Sequence, residues 1–211
     1  MNRVLIEERE NGPLVIKGVT SMKDRDGAQI EVKPLMVLCR CGGSANKPFC
    51  DGSHKRNGFQ SRGGKPQGKD VLLPYKGTRV TVLYNPRLCS HAAECNRLAP
   101  KAFDATQRPW INPDNASDAE LDTVMHACPS GALRMDGQDH KIPNRAQIEI
   151  QPNGPYWVLH MDIDADPAGE GATKEKTVLC RCGKSGNKPY CDGTHRSEGW
   201  DDSIATKGNL E

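Results

Sequence analysis

The chain is poor in aromatic residues, which make up 5% of its 211 positions, and its 29 basic and 27 acidic side chains nearly cancel to a net charge of +2. A nucleic-acid partner would require a basic face and aromatic platforms for bases, so none is expected. No stretch approaches the roughly 18 apolar residues of a membrane span, and the opening Met1-Asn-Arg-Val-Leu-Ile-Glu-Glu-Arg-Glu reaches charge before an apolar run of signal-peptide length. The expectation is no membrane partner, no export and a cytoplasmic location. A nucleophile-base pair, a phosphate-binding loop and a dinucleotide fingerprint are also missing, so the chain is expected not to be an enzyme with its own substrate.

What the chain does have is cysteine, nine in all. Cys39-Arg-Cys41-Gly-Gly-Ser44-Ala-Asn-Lys-Pro48-Phe-Cys50-Asp51-Gly52-Ser53-His54 recurs as Cys180-Arg-Cys182-Gly-Lys-Ser185-Gly-Asn-Lys-Pro189-Tyr-Cys191-Asp192-Gly193-Thr194-His195, at a constant offset of 141. Three soft thiolates and an imidazole in one short loop are the donor set of a thiolate-loving metal or an iron-sulfur cluster. The repeat extends beyond the loop: Asn11-Gly12-Pro13 matches Asn153-Gly154-Pro155, and Gly58-Phe59 matches Gly199-Trp200. Each unit is thus a duplicated structural module of nearly sixty residues, a tandem repeat. Three cysteines per segment is an odd number, which argues against a closed disulfide framework. Segments of this size bury little core unaided, and metal cross-links would supply the missing stability.

Glycine- and proline-punctuated linkers divide the chain into residues 1–66, 67–142 and 143–211. In the repeats, Leu14-Val15-Ile16, Met36-Val37-Leu38, Tyr156–Leu159 and Thr177–Leu179 read as short strands, the second of each pair running into the cysteine loop. Gly42-Gly43 and Gly183 let the backbone bend, and Asp51 and Asp192 are placed to cap a helical turn carrying the histidine. In the middle segment Val80–Tyr84, Trp110-Ile111 and Leu133–Met135 read as strands. Ala92–Leu98 reads as a short helix, and Ser117-Asp-Ala-Glu120 opens a helix to about Ala127 through a capping box. The fold class expected is α+β.

On ligand identity alone a structural zinc is open to each loop, since Cys-x-Cys with a later Cys-x3-His supplies four tetrahedral donors. The full frame, Ser-x3-Pro-x-Cys-Asp-Gly-Ser/Thr-His, resembles the CDGSH iron-sulfur (mitoNEET-like) family and matches its pattern in both copies. The resemblance implies two 2Fe-2S clusters, with Cys39, Cys41, Cys50 and His54 as ligands of one and Cys180, Cys182, Cys191 and His195 of the other. It places Ser44 and Ser185 as donors to the cluster or its thiolates, with Asp51 and Asp192 beside them as organisers of the turn. It also implies that the two modules pack as the halves of a two-fold dimer, here within one chain, so a monomer with an internal pseudo-two-fold is expected.

Cys89-Ser-His91-Ala92-Ala-Glu-Cys95 with Cys128-Pro129 has the ends of the bacterial ferredoxin word, but Ala92 stands at its second ligand position. The segment resembles divergent mono-cluster ferredoxin-type domains. Cys89, Cys95 and Cys128 would hold a 3Fe-4S cluster, or a 4Fe-4S cluster if His91 or an outside ligand completes it. The alternative is three reduced cysteines in a small core. His126, His140 and His160 fall outside any ligand spacing and are assigned no role, and Lys47 and Lys188 are candidates for steering an acidic partner. The reading is an electron-transfer protein with a redox partner. The competing readings are a 2Fe-2S carrier serving an apo-protein acceptor, a redox or pH sensor, and a zinc-stapled binding module.

Overall fold

The computed structural model describes residues 4–138, 142 and 144–203; His140 lies outside them. The first repeat contributes β1 (Leu5–Glu8), β2 (Leu14–Lys17), β3 (Ser21–Lys23) and β4 (Leu35–Leu38). The middle segment contributes β5 (Leu73–Lys76), β6 (Thr81–Tyr84), α1 (Glu94–Leu98), α2 (Asp118–Ala127) and β7 (Leu133–Met135). The second repeat contributes β8 (Gln147–Ile150), β9 (Tyr156–Leu159), β10 (Asp162–Asp164), β11 (Lys176–Leu179) and the single turn α3 (Thr194–Ser197). This is a mixed α+β chain dominated by short strands.

The repeats do not form separate sheets. One sheet has the order β10-β1-β2-β4 and the other β11-β9-β8-β3, so each repeat lends one strand to the other. The two lent strands pair in parallel, Ile6 opposite Ile163 and Met22 opposite Ile148. Within each repeat the pairings are antiparallel, Val15 opposite Val37 in the first and Val158 opposite Thr177 in the second. Ile6, Leu14, Met22 and Leu38 of one repeat and Ile148, Tyr156, Val158 and Leu179 of the other form a single buried cluster. Neither repeat closes its core alone.

The middle segment has its own core around Val82, Phe103, Ile111, Leu121, Val124 and Met135. Its sheet order is β5-β6-β7, all antiparallel, with β5 unforeseen in the sequence. The capping box forms as expected, Ser117 accepting from Glu120 N–H and the Glu120 carboxylate accepting back from Ser117 N–H. Trp110-Ile111 is not a strand: Ile111 makes one isolated bridge to Phe103, and Trp110 packs edge-on against Tyr84 at 4.9 Å between ring centres. The apolar pair is there for packing, which a period-two reading cannot distinguish from pairing.

This domain sits against the second repeat. Lys176, 6% exposed, donates its ammonium to the carbonyls of Met125 and His126 at 2.6 and 2.7 Å, satisfying the C-terminal end of α2. The corresponding position in the first repeat is Leu35, which is 54% exposed. Asn85 reaches Glu170 O at 2.8 Å, and Asp70 accepts from Glu170 N–H at 2.7 Å.

Candidate metal centres

β4 and β11 deliver Cys39 and Cys180 directly into the two loops. Each loop is closed by backbone bonds back to the strand: Cys39 N–H to Pro48 O and Cys50 N–H to Val37 O in the first, Cys180 N–H to Pro189 O and Cys191 N–H to Val178 O in the second. A left-handed glycine, Gly52 at φ 85° or Gly193 at φ 87°, then turns the chain into a short helical turn that brings the histidine back.

The donors gather in pairs. Cys39 and Cys41 sulfurs are 3.7 Å apart, Cys180 and Cys182 3.8 Å; Cys50 Sγ stands 3.5 Å from His54 Nδ1, and Cys191 Sγ 3.4 Å from His195 Nδ1. Two sulfurs held at about 2.3 Å by one tetrahedral metal are about 3.8 Å apart, and a sulfur and an imidazole nitrogen about 3.5 Å. The pairs therefore fit two edges of metal tetrahedra. Among the described residues no three of His, Cys, Asp or Glu gather to enclose a single ion.

Each loop favours the thiolate at its first cysteine and opposes it at the other two. The Cys41 thiol, opposed by burial and aided by the N–H groups of Ser44, Cys41 and Gly42, holds Cys39 down to about 6, while Cys41 is pushed up by that same pairing. Cys180 is held down to about 7 by Cys182, and Cys182 rises. Gly52, Lys184 and Gly193 N–H groups each donate to a loop sulfur at 3.4 Å. Burial pushes Cys191 up, reinforced by the charge of Cys180 and, from the middle domain, of Cys89.

Several expectations about the frame change in detail. The Ser44 and Ser185 hydroxyls donate to Phe49 O and Tyr190 O, both at 2.6 Å, so their protons are spent on closing the loop. What Ser44 offers the Cys39 sulfur is its backbone N–H. Asp51 and Asp192 do not cap through the N-cap position, which is glycine; they stand one residue earlier and staple the loop, accepting from Ala45 and Ser53 N–H and from Gly186 and Thr194 N–H. Gly42 and Gly183 are needed because the two loops touch. Cys41 and Cys182 form a β-bridge, and a Cβ on Gly42 would lie 2.5 Å from Cys182 O, one on Gly183 2.7 Å from Cys41 O. Lys47 and Lys188 turn their ammonium groups to Ser44 O and Ser185 O.

Arg40 and Arg181, inside the Cys-Arg-Cys words, carry a role the sequence reading did not assign. Arg40 is 1% exposed, pairs with Glu8 at 2.5 Å, and donates to Gly12 O, Arg9 O and Ser61 Oγ. Arg181 pairs with Asp202 and donates to Gly154 O and Gln151 O. Phe59 and Trp200 cover them, the guanidinium carbons 5.1 and 4.9 Å from the ring centres. This explains why Asn-Gly-Pro and Gly-Phe/Trp recur with the cysteines: each loop hangs on a buried arginine held by both ends of its repeat.

The two centres differ in exposure. Cys180, Cys182, Cys191 and His195 are all buried, whereas in the first loop only Cys39 is, with Cys41, Cys50 and His54 half-buried. Burial lowers both imidazoles, His195 to about 4. In the middle domain Cys89, Cys95 and Cys128 line one cavity of about 30 Å³ with Tyr84, Trp110 and Ala92. Burial raises Cys89, and Cys95 to about 11. His91 does not line that cavity. Its ring lies over Gly193 of the second loop, where a Cβ would fall 2.5 Å from His91 Cδ2.

Two family models match the chain. One, described as an iron-binding zinc finger of CDGSH type, covers residues 11–55 and 153–196; the other, a divergent 4Fe-4S mono-cluster, covers residues 75–137. The uncharacterized protein YjdI of Escherichia coli K12 is 38% identical over 60 residues, 28% of this chain and 79% of that protein. A CDGSH iron-sulfur domain-containing protein 2 homolog of Drosophila sechellia is 42% identical over 55 residues, 26% of this chain and 36% of the fly protein. With paired sulfur and imidazole donors in both loops and a third cysteine cavity between them in sequence, the chain belongs to the CDGSH iron-binding family, two such domains flanking a divergent 4Fe-4S mono-cluster domain.

Proposed function

We propose that the chain is an electron-transfer protein holding two 2Fe-2S clusters, each on three cysteines and one histidine, and a 3Fe-4S cluster on Cys89, Cys95 and Cys128. The carrying observation is the two-by-two grouping of donors in each loop, which suits a binuclear cluster better than one zinc. Such clusters supply one-electron chemistry at potentials that a histidine ligand raises relative to an all-cysteine set. The chain's part is to hold the thiolates with backbone N–H groups and to bury the arginines beneath them. Ala92 in the middle cavity leaves no fourth thiolate, which supports 3Fe-4S over 4Fe-4S. The reciprocal strand exchange supports reading the two CDGSH domains as an intramolecular pseudo-dimer, and the chain as a monomer.

Nine free cysteines agree with a reducing, cytoplasmic setting, and among the described residues no helix is long and apolar enough to cross a membrane. The test is iron and sulfide content with electron paramagnetic resonance on anaerobically purified protein. Red-brown protein with iron beyond two binuclear clusters supports the reading; colourless protein with zinc refutes it. His54→Cys and His195→Cys should each keep a cluster at lower potential, because a thiolate adds negative charge. The half-buried first loop favours one alternative, donation of that 2Fe-2S cluster to an apo-protein, which spectral transfer to an apo-ferredoxin would reveal.

A further inference from the structure

The three centres are not arranged symmetrically. The loop between Cys89 and Cys95 lies directly on the loop between Cys191 and His195: the His91 side chain sits so close to Gly193 that a Cβ there would fall 2.5 Å from His91 Cδ2, and Ala92 O accepts from the Arg196 guanidinium at 3.2 Å. Gln67, at the entry to the middle domain, adds a bond to Thr194 Oγ1 at 3.0 Å. In the first CDGSH loop the equivalent of Gly193 is Gly52, and a Cβ there would meet nothing within 4 Å. The first and second loops touch each other at the Cys41–Cys182 bridge, where paired Cα atoms are about 5 Å apart.

We propose that the His91–Gly193 seam is an electron junction joining the middle centre to the second CDGSH centre alone, and that the first CDGSH centre is the port facing an external one-electron redox protein. His91 is a positioning residue: with φ 56° and its side chain filling the space a Cβ on Gly193 would take, it sets how closely the two ligand loops approach. One electron crosses the seam between a reduced and an oxidised centre, no bond forms or breaks, and no proton moves. A second one-electron redox protein or a chemical reductant supplies it at the middle domain. The half-buried donors of the first loop and the buried donors of the second agree with outer and inner places in that order. The inference rests on the three-centre reading above.

The test compares Gly193→Ala with Gly52→Ala. Both glycines have nearly the same positive φ, so both variants carry the same backbone strain, and only the first pushes against His91. The readout is the spin relaxation of each reduced binuclear signal in protein whose middle centre is paramagnetic, with signals assigned in Cys50→Ala and Cys191→Ala chains. The expected result is severalfold faster relaxation of the second centre than of the first, abolished by Cys128→Ser, weakened by Gly193→Ala, unchanged in Gly52→Ala, and restored when His91→Ala is added to Gly193→Ala. Equal relaxation of the two binuclear signals, or equal effects of the two glycine variants, overturns the proposal. Iron content no greater than two binuclear clusters would instead refute the three-centre reading itself, and the junction with it.

Discussion

Replacing Tyr156 with Phe removes one hydroxyl that crosses from the second CDGSH domain into the first. Tyr156 is 1% exposed, and its hydroxyl donates to Cys39 O at 2.7 Å with Pro48 O at 3.2 Å. Pro48 O keeps its bond from Cys39 N–H at 2.8 Å, so the group left without this donor is the Cys39 carbonyl. A lost hydrogen bond that orphans a buried acceptor costs about 1–3 kcal/mol. For a chain of this size each kcal/mol moves Tm by roughly 2–4 °C, so at the middle of that range, about 2 kcal/mol, the expected drop is about 4–8 °C. Tyr190→Phe is the control. Its hydroxyl donates to the carbonyl of exposed Asp166, which water can satisfy, and the equivalent position in the first loop is already Phe49; a drop of about 2 °C or less is expected. Calorimetry on the cluster-free protein gives Tm, and hydrogen exchange should rise in residues 38–50 and not in 180–191. A Tyr156→Phe chain as stable as Tyr190→Phe, or one that loosens the second loop first, would refute the reasoning.

Gly42→Ala and Gly183→Ala should each cost at least about 2 kcal/mol more than Gly52→Ala in urea titrations, since all three carry positive-φ strain but only the first two drive a methyl into backbone of the opposite loop. A ferrous chelator should strip the first CDGSH centre severalfold faster than the second, because three of its four donors are half-buried; loss of both at one rate would contradict this. Burial works to raise the Asp192 carboxyl, but Thr194 and the Gly186 N–H outweigh it and hold it below its ordinary value. Its stabilisation is therefore present above about pH 4 and fades as pH falls through the folded value, so Asp192→Asn should flatten the acid limb of Tm against pH there.

The ligand loops were legible because their chemistry is local: donors, turn glycines and closing hydrogen bonds all fall within sixteen residues. The strands β2, β4, β9 and β11 were legible as short apolar runs. β1, β3, β8 and β10 were not: Leu-Ile-Glu-Glu and Gln-Ile-Glu-Ile carry too much charge to stand out as apolar runs, and Ser-Met-Lys and Asp-Ile-Asp pair in the sheets only with a strand far along the chain. The same distance hid the reason for Gly42 and Gly183, whose neighbour is the other loop. His91 was weighed as a ligand from its place beside Cys89, and no periodicity could have set it on Gly193. The buried arginines left a signal, recurrence at the cysteine offset, but a charged residue reads as surface until its acidic and carbonyl partners are known.

The order of the middle sheet bears on how the chain closes on itself. Leu73 pairs with Tyr84, and Tyr84 with Leu133, so β5 and β7 run parallel on either side of β6; the chain enters at Leu73 and leaves at Met135, two strand spacings across and two residues along, about 12 Å away. Once that domain has folded on its own local contacts, the excursion between the repeats is shortened by the whole of its length from Leu73 to Met135, and the entropy of bringing the repeats together falls. The insertion is in this sense a cassette: a few flexible residues between 72 and 136 would span the same gap and let the outer halves still find each other. The folding order expected from these contact separations is the ferredoxin-like cassette first and the exchanged strands last.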